Sequence, residues 1–299
     1  MPEPTERFIV RYWGVRASIP TPGPETVRYG GNTTCIEIRC DDEIIIIDTG
    51  TGARELGNRL MAEESLPLSI TIIYSHLHMD HIQGFPFFAP IYVPSTKMRI
   101  ISPQPSNATS RDFLAWHMAF PWFPVDLKHL ESSIQFEDIV PGSSVTVGGV
   151  RVDTCAINHP GGAQAIRVNH RGKAFVHASD LEHEGDALPE DLVALAKDAQ
   201  YLSYDSTYLE GDEYDKHKGW GHSTWQHGVR TAQAANVETF IAFHHDPSHD
   251  DEFMDRVARD MKAVAPGSLV AREGMTLDLL AGTVDVEEHR SWAPKTALP

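Results

Sequence analysis

The sequence predicts a layered α/β fold, and three observations carry that prediction. Short β-branched apolar runs alternate with amphipathic stretches of helical length through most of the 299 residues. Apolar residues make up 41% and charged residues 22%, enough material for the core of one large domain or two ordinary ones. Groups of His and Asp recur directly after the apolar runs, where strands would end. Strands and helices mixed in this way exclude a helical bundle.

Ile44-Ile45-Ile46-Ile47 is a fully apolar run that stops at Asp48-Thr49-Gly50-Thr51-Gly52, a turn that opens a helix over 54–61. A second apolar strand runs over 69–74. Further strands are expected over 144–147, 150–157, 164–168, 174–177 and 239–243, and helices over 190–199, 224–235 and 251–264. Between 85 and 140 the composition shifts toward aromatic and Pro residues, most densely from Phe113 to Pro124, and the region reads as irregular. Such a segment can wall a substrate site, join two copies in a homodimer, or fold over its own small cluster. His117 and His129 within it are expected to have no metal role.

Twenty-five basic residues against 42 acidic ones leave a net charge of −17 with His neutral. A field of that sign repels polyanions, so long nucleic acid is disfavoured as a partner. A small anionic substrate still fits if bound cations offset part of the excess. No apolar stretch approaches the length of a membrane span, and the opening Met1-Pro2-Glu3-Pro4-Thr5-Glu6 has neither the basic nor the apolar part of a leader. A cytoplasmic location is the resulting expectation. Cys35, Cys40 and Cys155 are odd in number, have no close pair, and read as reduced thiols.

The run His76-Leu77-His78-Met79-Asp80-His81 carries the most chemistry. A buried strand cannot hold so many polar groups in its ladder, so they belong on the loop after the strand over 69–74. There, neutral imidazole nitrogens and a carboxylate oxygen suit Zn²⁺ and similar ions without any Cys. A surface His cluster is the bland alternative, but this run is internal and follows an aliphatic strand. Later strand ends supply more ligands: His159 after 150–157, Asp180 after 174–177, and His244-His245 after 239–243.

At these residues the sequence resembles the metallo-β-lactamase-fold hydrolases, over nearly the whole chain from about Val10 to about Asp250. The resemblance implies a four-layer αβ/βα sandwich of mixed sheets, taken as a single domain over 1–299 with the aromatic segment near 85–140 as an insertion. It implies two divalent ions, Zn²⁺ favoured over Mn²⁺ or Fe. His76, His78 and His159 would hold one ion, and Asp80, His81 and His244 the other. Asp180 would bridge them and Asp48 would fix the ligand loop. Adjacent strand residues face opposite ways, so only one of His244 and His245 can reach the site. The likeness of His-His-Asp-Pro to the family's closing motif selects His244.

The fold hosts many chemistries and does not choose among them. His78 argues against its redox branch, which usually carries Glu there. Asp205-Ser206-Thr207-Tyr208, Gly219-Trp220-Gly221-His222-Ser223-Thr224, His81-Ile82-Gln83-Gly84-Phe85-Pro86 and the opening Gly14 to Pro20 look similar to the ribonuclease Z group. That group includes small cyclic phosphodiesterases. The likeness implies that His222 acts as a proton donor while Ser223 or Thr224 caps the following helix. The expected reaction is attack on phosphorus by a metal-bridging hydroxide, with Asp80 orienting the nucleophile and taking its proton. Arg16 and Arg28 are candidate phosphate contacts, each expected to be structural if taken alone. The short stretch from His159 to Asp180 leaves no room for a long tRNA-gripping arm, and Asp205-Ser206-Thr207 stands where Glu-Ala-Thr is usual. Both departures shift weight to a small or cyclic phosphodiester. A lactone, thioester or β-lactam hydrolase on the same site is the alternative, and an inert metal-bound scaffold is the non-enzyme one.

Overall fold

A computed structural model describes residues 6–105 and 107–287. The opening Met1 to Thr5, part of the segment assessed above for a leader, lies outside the described residues. In chain order the first strands are β1 (Phe8–Gly14), β2 (Cys35–Cys40), β3 (Glu43–Ile47), β4 (Ser69–Ile73), β5 (Lys97–Pro103) and β6 (Ser133–Ile139). The next group is β7 (Ser144–Val147), β8 (Val150–Ile157), β9 (Ala163–His170), β10 (Lys173–Ala178), β11 (Tyr201–Asp205), β12 (Thr239–Phe243) and β13 (Leu269–Val270). The chain then returns to the first sheet with β14 (Met275–Asp278) and β15 (Thr283–Val286). One sheet runs β15-β14-β1-β2-β3-β4-β5-β6 and the other β13-β12-β11-β10-β9-β8-β7. Both are mixed: β3 to β6 are parallel neighbours, as are β10 to β13, and the remaining pairs are antiparallel.

Seven helices are described: α1 (Ala53–Glu63), α2 (Met79–Ile82), α3 (Ser110–His117), α4 (Glu190–Ala196), α5 (Asp212–Lys216), α6 (Trp225–Ala234) and α7 (Asp251–Val264). The four layers follow from three apolar clusters. One joins the inner faces of the two sheets; a second packs the outer face of the second sheet against α4, α6 and α7; a third packs the outer face of the first sheet against α1 and α3. β3 shows why the run Ile44 to Ile47 is apolar throughout. Ile45 and Ile47 face the core between the sheets, while Ile44 and Ile46 face the helical side, so none of the four meets water.

Two expectations need correction. The region 85–140, read as irregular, supplies β5 and β6 and the helix α3, which opens on a reciprocal Thr109–Asp112 capping box. Its strands alternate apolar and polar residues only over short runs, Lys97 to Ile100 and Ser133 to Glu137, among Pro and aromatic residues. The helix expected over 190–199 stops at Ala196, because Lys197 leaves helical geometry at ψ 126° and Asp198 enters the left-handed region at φ 56°. Cys35, Cys40 and Cys155 are buried and unpaired. Among the described residues no helix is long and apolar enough to cross a membrane.

Candidate metal centre

The carboxyl ends of β3, β4, β8, β10, β11 and β12 open at one edge of the sandwich, and each carries a polar residue at or just beyond its last ladder pair. These residues are Asp48, the run His76–His81, His159, Asp180, Asp205 and His244. Apolar strands anchored in two cores hold the cluster rigidly, as strand ends do in open α/β sheets. Asp48, Asp180 and His244 have φ of 58°, 59° and 65°, and Ser18, whose N–H donates to Asp80 Oδ2 at 2.8 Å, has φ 59°. Left-handed backbone in non-glycine residues is costly and gathers at functional sites.

All seven predicted ligands come together in two groups. His76, His78 and His159 present nitrogens toward one point, and Asp80, His81, Asp180 and His244 present atoms toward another. Asp180 faces both. Its Oδ1 lies 3.9 Å from His76 Nε2 and 3.8 Å from His159 Nε2, and its Oδ2 lies 3.1 Å from His81 Nε2 and 3.4 Å from His244 Nε2. Asp80 Oδ2 closes the second group at 3.3 Å from His81 Nε2 and 3.4 Å from His244 Nε2. Ligands at about 2.1 Å around a tetrahedral ion stand roughly 3.4 Å from one another, so the second group has the edge lengths of such a shell.

The imidazoles are oriented from behind. His81 Nδ1 is 2.7 Å from Asp48 Oδ2, His159 Nδ1 donates to Gly221 O at 2.9 Å, and His76 Nδ1 meets Ser75 Oγ at 3.1 Å. Ser75 in turn donates its N–H and its hydroxyl to Asp48, at 2.8 and 2.7 Å. This leaves the buried Nε2 atoms of His76, His81 and His244 without hydrogen-bond partners. Such orphans are expensive unless something else accepts their lone pairs, and a cation does. Gly221 must be glycine: its φ is 88°, and a Cβ there would collide with His159 Nδ1.

Charge gives the same answer. Asp48, Asp80, Asp180 and Asp205 are all buried, and every ion pair they make is with a histidine. With protein groups alone, the compensating charge falls on imidazoles. Burial opposes it, but Asp80, Asp180 and Asp48 raise His81 well above its ordinary value, and Asp180 with Asp205 and Asp80 raise His244 to about 10. Divalent cations fit this donor set and would take over that charge.

His244 and His245 separate as adjacent residues should. His245 turns away from the cluster, its Nε2–H donates to Ala271 O at 2.8 Å, and burial beside Arg16 pushes it down to about 3. His222 stands at the rim, nine-tenths buried, with Nδ1 2.9 Å from Asp205 Oδ2. Burial pushes its pKa down, but the charge and hydrogen bond of Asp205, with Asp180, leave it raised. Thr224, not Ser223, caps α6 by accepting from His227 N at 3.2 Å.

Other residues have different employment. Arg16 is fully buried and donates to the carbonyls of Gly30, Asp246 and His249, which ties the chain opening to the loop after β12. Arg28 pairs with Asp251 and Asp255 at α7. His117 and His129 belong to no metal-competent cluster among the described residues. Sequence reasoning missed the part played by Asp205. It sits at the end of β11 like the other carboxylates and accepts from His222, Ser223, Thr207 and the backbone of Asp180. The same strand-end signal was available for it. Ser18 and Ser75 act through backbone N–H or a hydroxyl and gave no signal at all.

No curated protein matches this sequence. Solved structures do share the fold. YhfI from Bacillus subtilis, a metallo-beta-lactamase fold protein, superposes with a TM-score of 0.69 at 16% identity, covering 92% of this chain and 100% of that one. The short form of human tRNase Z gives 0.64 at 19%, covering 91% and 99%, and a diphosphatase of the PhnP family gives 0.66 at 16%, covering 91% and 97%. The strand ends that build the cluster, from β3 to the loop after β12, fall within residues 43–245, which match the model of the beta-lactamase superfamily domain, and the chain belongs to that superfamily.

Proposed function

We propose that this protein is a metal-dependent phosphodiesterase acting on a small or cyclic phosphodiester. It would hold two divalent ions, Zn²⁺ favoured: one on His76, His78 and His159, one on Asp80, His81 and His244, with Asp180 shared. When bound, such ions acidify a water and balance charge on an attacked phosphate.

The observation that carries the phosphodiester reading is the His222–Asp205 pair. Asp205 holds Nδ1 of His222 and, with its charge, raises the pKa of the ring, which favours the protonated form with Nε2–H as the donor. His222 donates that proton to the oxygen that leaves phosphorus, a contribution typically worth roughly 10²–10⁴ in rate. Burial alone would raise the pKa of Asp80, but His81 and His244 hold it well below the usual carboxylate range, so Asp80 is ionised. Fixed by the Ser18 N–H, it orients the attacking water and takes its proton. The fold relatives that are a diphosphatase and a tRNase support chemistry at phosphorus. Between His159 and Asp180 the chain is a tight pair of strands, β9 and β10, with no arm to grip a large RNA.

The test is a substrate panel on protein of measured metal content: bis(p-nitrophenyl) phosphate and cyclic nucleotides against lactones and nitrocefin. Phosphodiester turnover is expected, and at unchanged metal content His222→Ala should lower turnover of the cyclic nucleotides, whose leaving alkoxide needs a proton. Lactone or nitrocefin turnover without phosphodiester turnover would refute the proposal.

A further inference from the structure

Beside the ligand run lies a groove of about 590 Å³, within the size range of small-molecule sites. Its floor is the run itself. Leu77 and Met79 flank His78, the one exposed member of the two ligand groups, and Ile82 follows His81. Its walls are aromatic: Phe87 meets Phe123 edge to face at 5.5 Å, and Phe113 meets Trp116 at 5.2 Å. Trp122 and Trp116 line it while 81% and 57% exposed, bare aromatic surface of the kind that marks a binding site. Apart from the indole N–H groups, only Gln83 and His117 bring polar side-chain atoms, and the Gln83 amide already donates to Thr33 Oγ1 at 3.0 Å.

We propose that this groove receives an uncharged aryl group of the substrate while the phosphate end lies over the metal centre. The phosphate end of the proposal rests on the function proposed above. A nucleobase would carry several polar edge atoms into a groove where, besides the indole N–H groups and the engaged Gln83, only His117 Nε2 could meet them, a cost that a hydrocarbon ring avoids. Concavity, and a floor continuous with the ligand run, favour a substituent of the bound substrate over a second copy of the chain.

The test compares methyl-, phenyl-, benzyl- and 2-phenylethylphosphonate binding to the metal-loaded protein by calorimetry, the series of linkers covering the reach from phosphate to groove. At least one aryl member should bind about tenfold tighter than methylphosphonate, as expected for filling an apolar pocket. Trp116→Ala and Phe87→Ala should erase that advantage and leave methylphosphonate unchanged, while Trp116→Phe keeps most of it. Both positions are largely exposed, so the variants should fold. Equal affinities across the series, binding of adenosine 5′-phosphate as tight as the best aryl compound, or a dimer that shields Trp116 and Trp122 from acrylamide quenching would each overturn the proposal. Aryl-dependent binding without phosphodiester turnover would instead sink the proposed reaction and leave the groove standing.

Discussion

Asp205→Asn changes one atom at the point where the cluster is tied together. Asp205 Oδ2 accepts from His222 Nδ1 at 2.9 Å and from the Asp180 N–H at 2.9 Å; Oδ1 accepts from the N–H of Ser223 at 3.0 Å, and from the N–H and hydroxyl of Thr207 at 3.1 and 3.0 Å. An amide can keep the second set on its oxygen but must turn its NH₂ toward the first. His222 can answer by giving up its Nδ1 proton and accepting, which makes it neutral. The Asp180 N–H cannot answer, and a buried donor left facing a donor costs about 1–3 kcal/mol. We therefore expect a stability loss of that size by urea titration. Hydrolysis of a cyclic nucleotide, whose leaving alkoxide must be protonated, should fall by about 10²-fold or more, because a neutral imidazole is a poor acid. The pH profile gives a second readout. His222 must be protonated to act, so activity falls as pH rises through its raised pKa; without the Asp205 charge that fall should begin at lower pH. Wild-type turnover at full metal content, or an unmoved alkaline limb, would refute the reasoning.

Other perturbations have equally direct expectations. His244→Ala should lose one ion per chain by elemental analysis, whereas His245→Ala keeps both and loses about 2–4 kcal/mol of stability from the emptied core position. His245 takes a proton near 6.5 when unfolded but only near 3 when folded, so stability is complete above 6.5 and drains away as pH falls toward 3; urea midpoints across that window should show it, and His245→Gln should flatten the slope. Adding Zn²⁺ to chelator-stripped protein at neutral pH should release about two protons per chain, from His81 and His244, read with an indicator dye in weak buffer. Gly221→Ala forces strain of about 1–3 kcal/mol at a left-handed position and displaces His159, so metal content of the first group should drop with stability; a variant with full metal and an unchanged midpoint would contradict it.

The parts of the fold that could be read from sequence are those with strong local patterns. Ile44 to Ile47 announced a strand because both of its faces are buried, and α7 was bounded correctly because Asp250 caps it and its apolar stripe is clean. β5 and β6 do alternate, with Met98 and Ile100 against Arg99, and Ile134 and Phe136 against Gln135 and Glu137, but each run is short and lies among Pro and aromatic residues that read as irregular chain. The ligand groups were legible because His and Asp at strand ends are chemically conspicuous. What holds those ligands was not. A Ser18 backbone N–H, a Gly221 carbonyl and a Ser75 hydroxyl orient Asp80, His159 and the Asp48–His81 pair through the folded path of the chain, which no local pattern encodes.

The two ligand groups draw on both halves of the chain. His76 to His81 hang from the first sheet, His159, Asp180 and His244 from the second, and Asp180 touches both groups. Cations seated there would rivet the two sheets together at their open edge, adding a crosslink to a seam closed by apolar contact and by hydrogen bonds such as those of Gln164 to the carbonyls of Tyr74 and Ser75. Thermal resistance should then track free divalent-ion concentration, and chelation should let the halves part before either sheet melts.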